Sequence, residues 1–277
     1  MIVEIPVGST IEGVIEWMNT TLAPLFDAVS FVVGSAIQIF ENLMLAPPSY
    51  LMLLYLAALA WRLAGWKVAL FSFFGLFLVD GMGMWDDSMR TLALVLASAT
   101  FALLVGLPAG IWASRKDAVS RALRPVLDFM QTMPAFVYLI PAVLFFLLGK
   151  VPGAMTTVIF AMPPAVRLTN LAIRGVSEEA VEATRAFGGS DRQLLFKVQL
   201  PLALPTIMAG VNQTIMLALS MVVIAAMIGA GGLGQQVLKG IQQLKIGLGF
   251  ESGLAVVILA MFLDRVTQSL GKKKGKS

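Results

Sequence analysis

Long runs of apolar residues separated by short polar stretches dominate this chain of 277 residues. A helix needs about 20 apolar residues to cross the hydrocarbon core of a bilayer, so the runs predict seven membrane spans. These lie near residues 50 to 65, 67 to 85, 89 to 113, 129 to 149, 153 to 173, 204 to 230 and 252 to 270. The pattern therefore predicts an all-α polytopic membrane protein.

An eighth apolar segment, residues 25 to 45, is interrupted by polar side chains and bracketed by Pro24 and Pro47-Pro48. The interrupting residues are Asp27, Gln38, Glu41 and Asn42. This mixture favours an amphipathic helix that lies on the membrane surface rather than one that crosses it.

Basic residues indicate the orientation, because Lys and Arg stay on the cytoplasmic side far more often than they cross. They cluster in the turn at 62 to 67, the loop at 115 to 124, the loop at 174 to 197 and the tail at 272 to 276, while the first 61 residues contain none. With seven spans, all four clusters fall on one face. We therefore expect the amino terminus outside and the carboxyl terminus in the cytoplasm. An eight-span arrangement would move the amino terminus inside but leave the loop at 174 to 197 in the cytosol.

The amino-acid composition excludes several classes of function for this chain. Hydrophobic residues make up 58% of the chain and charged residues 13%, which excludes a soluble domain. The chain has no Cys and no His, so it lacks thiol chemistry, the commonest metal ligand and the usual base near neutral pH. Its carboxylates show no paired spacing typical of an acid and a base. The net charge of +4 sits beside the spans rather than in a patch with aromatics, so no nucleic-acid surface is expected.

A nucleotide-binding pattern of glycines is also present, at Gly229, Gly231 and Gly234. Because these glycines close an apolar span and no strand precedes them, they indicate a helix break rather than a dinucleotide fold. We expect this chain to bind no cofactor and no ATP.

The loop at 174 to 201 carries a second kind of pattern. Ser177 is a candidate cap for a helix whose first turn is acidic, Gly188-Gly189 is expected to end that helix, and Ser190 with Gln193 fits a capping box for a second helix. Pro201 is expected to stop the second helix near Leu200. The first helix places Ala180, Thr184 and Phe187 on one face, a ridge suited to a groove on a partner. The alternative to a docking surface is that these residues form an ordinary amphipathic cytosolic loop.

The spacing within this loop resembles the EAA loop of permease subunits of ATP-binding-cassette (ABC) importers. Glu182-Ala183-Thr184 is followed by three residues, Gly188, nine residues and Val198-Gln199-Leu200-Pro201, with Thr184 in place of an alanine and Val198 in place of an isoleucine. The resemblance implies that residues 177–201 form the coupling helix unit that docks on a partner ATPase. The implied coupling residues are Glu182, Ala183, Thr184, Gly188, Val198, Leu200 and Pro201.

Residues 121 to 141, 162 to 174 and 192 to 234 are similar to the permease subunits of glycine betaine/proline importers. The resemblance implies the type I ABC importer fold with a homodimeric permease, a partner ATPase that binds ATP and Mg, an external substrate-binding protein, and import of an osmoprotectant such as betaine, proline or choline. It also implies that the last five spans are the core helices (87–271). With the spans and basic residues above, this leaves an extracytoplasmic region with an amphipathic interfacial helix (1–48), two peripheral spans (49–86) and a basic cytosolic tail (272–277). The chain itself is expected not to be an enzyme.

Helix breakers suggest where a translocation path bends. Pro134 lies beside aromatic residues, and Pro163-Pro164 is expected to interrupt the next span. Met133, Phe136, Tyr138 and Asn212 are candidates for the wall of this path, although ordinary packing explains such residues as well. A quaternary ammonium substrate would be attracted to aromatic faces.

Two rival classes remain. An ion-driven secondary transporter would need an ionisable residue inside the membrane, and Asp264 and Arg167 are the candidates, although both lie near predicted span ends. A membrane enzyme would need a nucleophile, a base and an oxyanion site, and no such set is found.

Overall fold

A computed structural model describes residues 7–273, and all regular elements in that range are helical. The helices are α1 (Val7–Thr21), α2 (Ala23–Leu45), α3 (Ser49–Ala64), α4 (Trp66–Gly81), α5 (Trp85–Arg115), α6 (Asp117–Thr132), α7 (Leu139–Phe146), α8 (Lys150–Arg174), α9 (Glu178–Ala186), α10 (Asp191–Gln193), α11 (Leu200–Ala225), α12 (Gly232–Gln242) and α13 (Ile246–Lys273). Short 3-10 turns cover Ala135–Tyr138 and Ala226–Ile228, and a π-helical segment covers Leu194–Gln199. The last four residues of the predicted basic tail and the first six of the amino-terminal region lie outside the described residues.

Five helical stretches in the described range are long and apolar enough to cross a membrane, or six if the bent pair α6–α7 forms one span. They are Ala23–Leu45, Trp85–Arg115, Lys150–Arg174, Asp191–Ile228 and Ile246–Gly271. The predicted peripheral spans correspond to α3 and α4, which have 16 residues each and therefore reach about 24 Å. The chain is thus an all-α protein whose seven predicted apolar segments are all largely helical.

Helix α2 covers the segment expected to lie on the membrane surface. It is one continuous helix of 23 residues that packs against α5 and α8, and its length and composition also meet the requirement for a span. Three of its four interrupting polar residues have partners: Glu41 is buried and accepts a 2.6 Å hydrogen bond from Lys150 Nζ, and Gln38 Nε2 donates to Asn42 Oδ1. The surface position of this segment stays a prediction.

The apolar run at 129 to 149 does not form one straight span, contrary to the sequence prediction. Helix α6 ends at Thr132, and the helical stretch Ala135–Phe146 leaves at an angle of 104°. Pro134 is the cause, because the residue before a proline is pushed out of the helical region, and Met133 accordingly has ψ 134°.

Helix α8 lies at the centre of the bundle and packs along both α5 and α11. Small residues allow the close approach: a Cβ added at Gly110 of α5 would lie 2.7 Å from Thr169 Cβ, and one at Gly210 of α11 would lie 3.0 Å from Leu168 Cβ. Pro163-Pro164 was expected to interrupt α8, but the helix runs through both prolines from Lys150 to Arg174. Both are buried, where neighbouring helices surround the turn that they weaken.

Candidate functional site

The predicted coupling unit forms at the carboxyl-terminal end of α8. Helix α9 ends as the glycines predict: Gly188 has φ +75°, its N–H donates to the Arg185 carbonyl, and the Gly189 N–H donates to the Thr184 carbonyl, both at 2.9 Å. This pair of bonds is the Schellman motif, which needs a left-handed residue at the position of Gly188. Ser177 precedes the helix as predicted, but its side chain makes no capping hydrogen bond.

The second helix of the unit begins with the predicted capping box. The Ser190 N–H donates to Gln193 Oε1 at 2.9 Å, and the Gln193 N–H donates to Ser190 Oγ at 3.3 Å. The two short helices are therefore joined by a turn in which the orphan backbone groups are satisfied on both sides.

Pro201 does not stop this second helix, so that prediction is wrong. The helical path continues without a break from Asp191 to Ile228. The turn before the proline is a π-helix, Leu194–Gln199, and this wider turn avoids the clash that a proline ring makes with a carbonyl in a regular α-helix. Consequently α11 and the second half of the coupling unit are one helical rod.

The inner side of the unit rests on the bundle. Leu194 and Leu195 are buried, and Leu195 belongs to an apolar cluster with Ile173 of α8 and with Ala203 and Ile207 of α11. Leu200, one of the predicted coupling residues, packs against the same cluster, and Val198 is half-buried. These contacts attach the unit to two spanning helices at once.

Two arginines join the unit and α8 to neighbouring helix ends. Arg115, at the end of α5, donates to the Asp191 carbonyl at 3.2 Å and lies 3.8 Å from its carboxylate. Arg174, at the end of α8, donates to Asp117 Oδ1 at 2.6 Å, to Asn170 Oδ1 and to the Ala113 carbonyl. The hydrogen bond from Arg174 lowers the pKa of the Asp117 carboxyl, which lies at the exposed start of α6.

Sequence reasoning used these arginines only as markers of orientation. Their partners lie 57 and 76 positions away along the chain, so no local spacing pointed to them. The only local signal is that each acid, Asp117 or Asp191, is the first residue of a helix. Acids are common there because they interact favourably with the helix dipole.

The outer side of the unit is open to solution. No residue of α9 is buried, Glu182 and Ala183 are exposed, and Phe187 is 93% exposed. Thr184 is half-buried, and its hydroxyl donates to the Ala180 carbonyl within the helix. An aromatic ring held almost fully in solvent beside a rigid turn is an unsatisfied apolar surface, which favours burial against another molecule.

The four candidate path residues do not come together. Met133 and Phe136 lie at the 104° bend, where Phe136 is 54% exposed, whereas Tyr138 is buried and donates its hydroxyl to the Met130 carbonyl at 2.6 Å. Asn212 is bonded to Asp264 of α13 instead. Their role in translocation stays a prediction.

The two charges that suggested an ion-driven transporter both have partners. Arg167 pairs with Asp128 of α6 at 2.5 Å, and both side chains are substantially exposed. Asp264 accepts hydrogen bonds from two neutral amides. Among the described residues, no group of three or more His, Cys, Asp or Glu side chains is arranged to hold a metal ion.

Comparison with protein families identifies the family to which the chain belongs. The family described as "binding-protein-dependent transport system inner membrane component" matches residues 102–274, which include the coupling unit and the helices that hold it. The chain belongs to this family. It is therefore a multi-pass inner membrane component of a transport system.

Relatives of this inner membrane component match along nearly the whole chain. It is 50% identical to the glycine betaine transport system permease protein OpuAB of Bacillus subtilis over 270 residues, which cover 98% of this chain and 96% of OpuAB. It is 48% identical to the glycine betaine/proline betaine transport system permease protein ProW of Escherichia coli, covering 97% of this chain and 76% of ProW. The glycine betaine/carnitine permease GbuB of Listeria monocytogenes is 47% identical over 97% of this chain and 96% of GbuB.

Among solved structures, a chain of the inward-facing MetNI methionine ABC transporter superposes with a TM-score of 0.62. The match covers 69% of this chain and 95% of the MetNI chain at 22% identity. At that identity the likeness shows the fold alone. The type I ABC importer fold that the resemblance implied is thereby confirmed for this family member.

Proposed function

We propose that this chain is the permease subunit of an ATP-driven importer for glycine betaine and related osmoprotectants. The observation that carries the proposal is the identity of about half of all residues with permeases named for glycine betaine, along nearly the full chain. Proline betaine and carnitine, which appear in the names of the relatives, share with glycine betaine a quaternary ammonium and a carboxylate. We include choline and proline among the substrates to be tested.

The orientation belongs to the same proposal. The ends of α5 and α8 meet the coupling unit, and the end of α13 lies beside the start of α11, because a Cβ at Gly271 would lie 3.0 Å from the Cβ of Met208. These ends carry most of the basic residues, which favours a cytoplasmic position for them. We therefore place the carboxyl terminus and the coupling unit inside and the amino terminus outside.

The partners follow from the exposed face of the unit. A cytosolic ABC ATPase would bury Phe187 and the exposed side of α9, and ATP with Mg would be bound by that ATPase rather than by this chain. A second copy of the permease would complete the path between bundles, and an extracytoplasmic binding protein would deliver the substrate.

The rigidity of residues 177–201 explains how ATP hydrolysis by the partner would be coupled to transport. The Schellman motif, the capping box and the apolar contacts of Leu195 make residues 177–201 a stiff unit, and the unit continues directly into α11. Closure of an ATPase dimer around ATP would displace this unit, tilt α8 and α11 and turn the cavity outward, and hydrolysis would reset it. Phe136 and Met133, at the bend, are proposed to contact the substrate during passage.

The proposal is tested by purifying the tagged chain in mild detergent from its native membrane and identifying the proteins that co-elute. A stoichiometric ABC ATPase is expected, and its loss when Glu182 and Gly188 are both replaced would locate the contact. Proteoliposomes containing the complex and the binding protein should then accumulate radiolabelled glycine betaine only with ATP. A homomer without ATPase, or uptake driven by an ion gradient, would contradict the proposal.

A further inference from the structure

Asp264 is a carboxylate within the apolar stretch Ile246–Gly271 of α13. It lies nine residues before the end of the helix, which corresponds to about 14 Å along the axis. No Lys or Arg whose side chain the structure describes forms an ion pair with it. Asp264 is half-buried, and a partly buried carboxylate costs free energy unless its oxygens are hydrogen-bonded, so its partners decide what it does.

The partners of Asp264 lie on two helices. Its Oδ1 accepts from Asn212 Nδ2 of α11 at 2.9 Å and from Gln268 Nε2 of α13 at 2.7 Å. The other end of the Asn212 amide, Oδ1, accepts from the hydroxyl of Thr267, which is buried. Asp264 and Thr267, three positions apart on α13, therefore bind the nitrogen and the oxygen of the Asn212 amide on α11.

We propose that Asp264, Asn212 and Thr267 form a polar clamp that locks α11 to α13, so that movement of the coupling unit reaches α13 as well as α11. In this role Asp264 is a positioning residue and contacts no substrate. The inference rests on the proposed import function, since it concerns how that transport is coupled to ATP hydrolysis.

The position of the clamp supports this assignment. Asn212 lies on the helical rod that runs from Asp191 to Ile228, so a force on the coupling unit acts on Asn212 directly. The same two helices are closely packed nearer their ends, where Gly271 faces Met208. In an apolar surrounding, van der Waals contacts alone permit sliding, whereas a side chain held at both polar ends sets one register.

The clamp differs from an ion-carrying carboxylate in what it requires of residue 264. A clamp needs an acceptor oxygen for the amide of Asn212, and Asp264→Asn retains one. Proton or sodium coupling needs an ionisable group, which Asp264→Asn removes. The two variants Asp264→Ala and Asp264→Asn therefore separate the two roles.

The test uses the complete complex of permease, ATPase and binding protein in proteoliposomes, with glycine betaine uptake and ATP hydrolysis measured in the same samples. We expect Asp264→Ala and Asn212→Ala each to lower uptake per ATP hydrolysed by roughly tenfold or more, as for loss of a hydrogen bond to a charged group. The double variant should lose no more than either single one. Asp264→Asn should stay close to wild type, as should the control Gln213→Ala, which changes the exposed neighbour of Asn212.

Helix register is measured independently of transport by disulfide cross-linking. The chain contains no cysteine, so Met208→Cys with Gly271→Cys introduces its only thiols. Their Cβ atoms would lie 3.0 Å apart, so a disulfide, which needs about 3.5–4.5 Å, forms once the two helices part by about half an ångström. Cross-linking of this cysteine pair should be fast when residue 264 is Asp or is replaced in Asp264→Asn. It should be slower in Asp264→Ala.

Equal coupling ratios in wild type and Asp264→Ala would overturn the clamp, as would equal cross-linking rates in all backgrounds. Loss of uptake in Asp264→Asn as severe as in Asp264→Ala would overturn it in favour of an ion-carrying carboxylate. If the wild-type complex itself takes up no betaine, the proposed function fails, and the cross-linking rates alone then decide whether the clamp exists.

Discussion

Replacement of Gly188 by valine tests whether the turn between the two short helices must be left-handed for transport. Gly188 has φ +75°, and a Cβ built on it would meet no heavy atom within 4 Å. A Cβ at this position therefore collides with no neighbouring residue. The cost comes from the backbone, because an L-residue with a branched Cβ is strained at positive φ.

The magnitude follows from that cost. An L-residue in the left-handed region pays about 1–2 kcal/mol, which lowers the population of the Schellman turn by roughly 5- to 30-fold relative to competing conformations. Uptake should fall by a similar factor if the rigid unit transmits the movement. Gly188→Asn should lose much less, since asparagine enters the left-handed region more readily.

The assay is ATP-dependent uptake of radiolabelled glycine betaine by proteoliposomes, with the amount of inserted permease measured by immunoblot and the bound ATPase by co-purification. We expect normal insertion, reduced uptake with valine, and near-normal uptake with asparagine. Wild-type uptake by Gly188→Val would refute the reasoning, and equal defects in both variants would show that any side chain at this position, rather than backbone strain, is the cause.

Three further predictions concern stability. Ser190→Ala removes the capping bond to the Gln193 N–H and should cost about 1 kcal/mol, seen as faster hydrogen exchange in the second helix of the unit; unchanged exchange would contradict it. Gly232→Ala places a Cβ 2.4 Å from Thr91 Oγ1 at φ +69° and should lower the unfolding temperature in detergent; no drop would refute the tight contact. Lys150→Met leaves the buried Glu41 carboxylate unpaired and should destabilise the protein more than the pair Lys150→Met with Glu41→Gln; the reverse order would refute this account.

The sequence predicted the turn between the two short helices of residues 177–201 because its signals are local. Capping residues, a glycine at the end of α9 and the acidic first turn all act within four or five positions, and the structure reproduces the Schellman turn at Gly188 and the capping box at Ser190. The spans correspond closely to α5, α8, α11 and α13 for the same reason, since hydropathy is a property of consecutive residues.

The rule that proline breaks a helix failed at positions where the surrounding structure allows the helix to continue. Pro201 and Pro163-Pro164 were both expected to break helices, yet a π-helical turn precedes the first and packing surrounds the others. At Pro134 the same residue type ends α6 and bends the path by 104°. A proline only removes one donor and adds one clash, and the surrounding structure decides whether the helix widens, continues or turns.

The sequence by itself determined that this chain is a helical membrane protein with a stiff paired-helix loop after α8, because periodicity, hydropathy and caps are written in neighbouring residues. Only the tertiary structure decided which distant groups meet. Arg174 with Asp117, Glu41 with Lys150, and Asn212 with Asp264 join residues 57, 109 and 52 positions apart. A charged or amide side chain in an apolar bundle must find a partner, but the packing of the helices decides which one it finds.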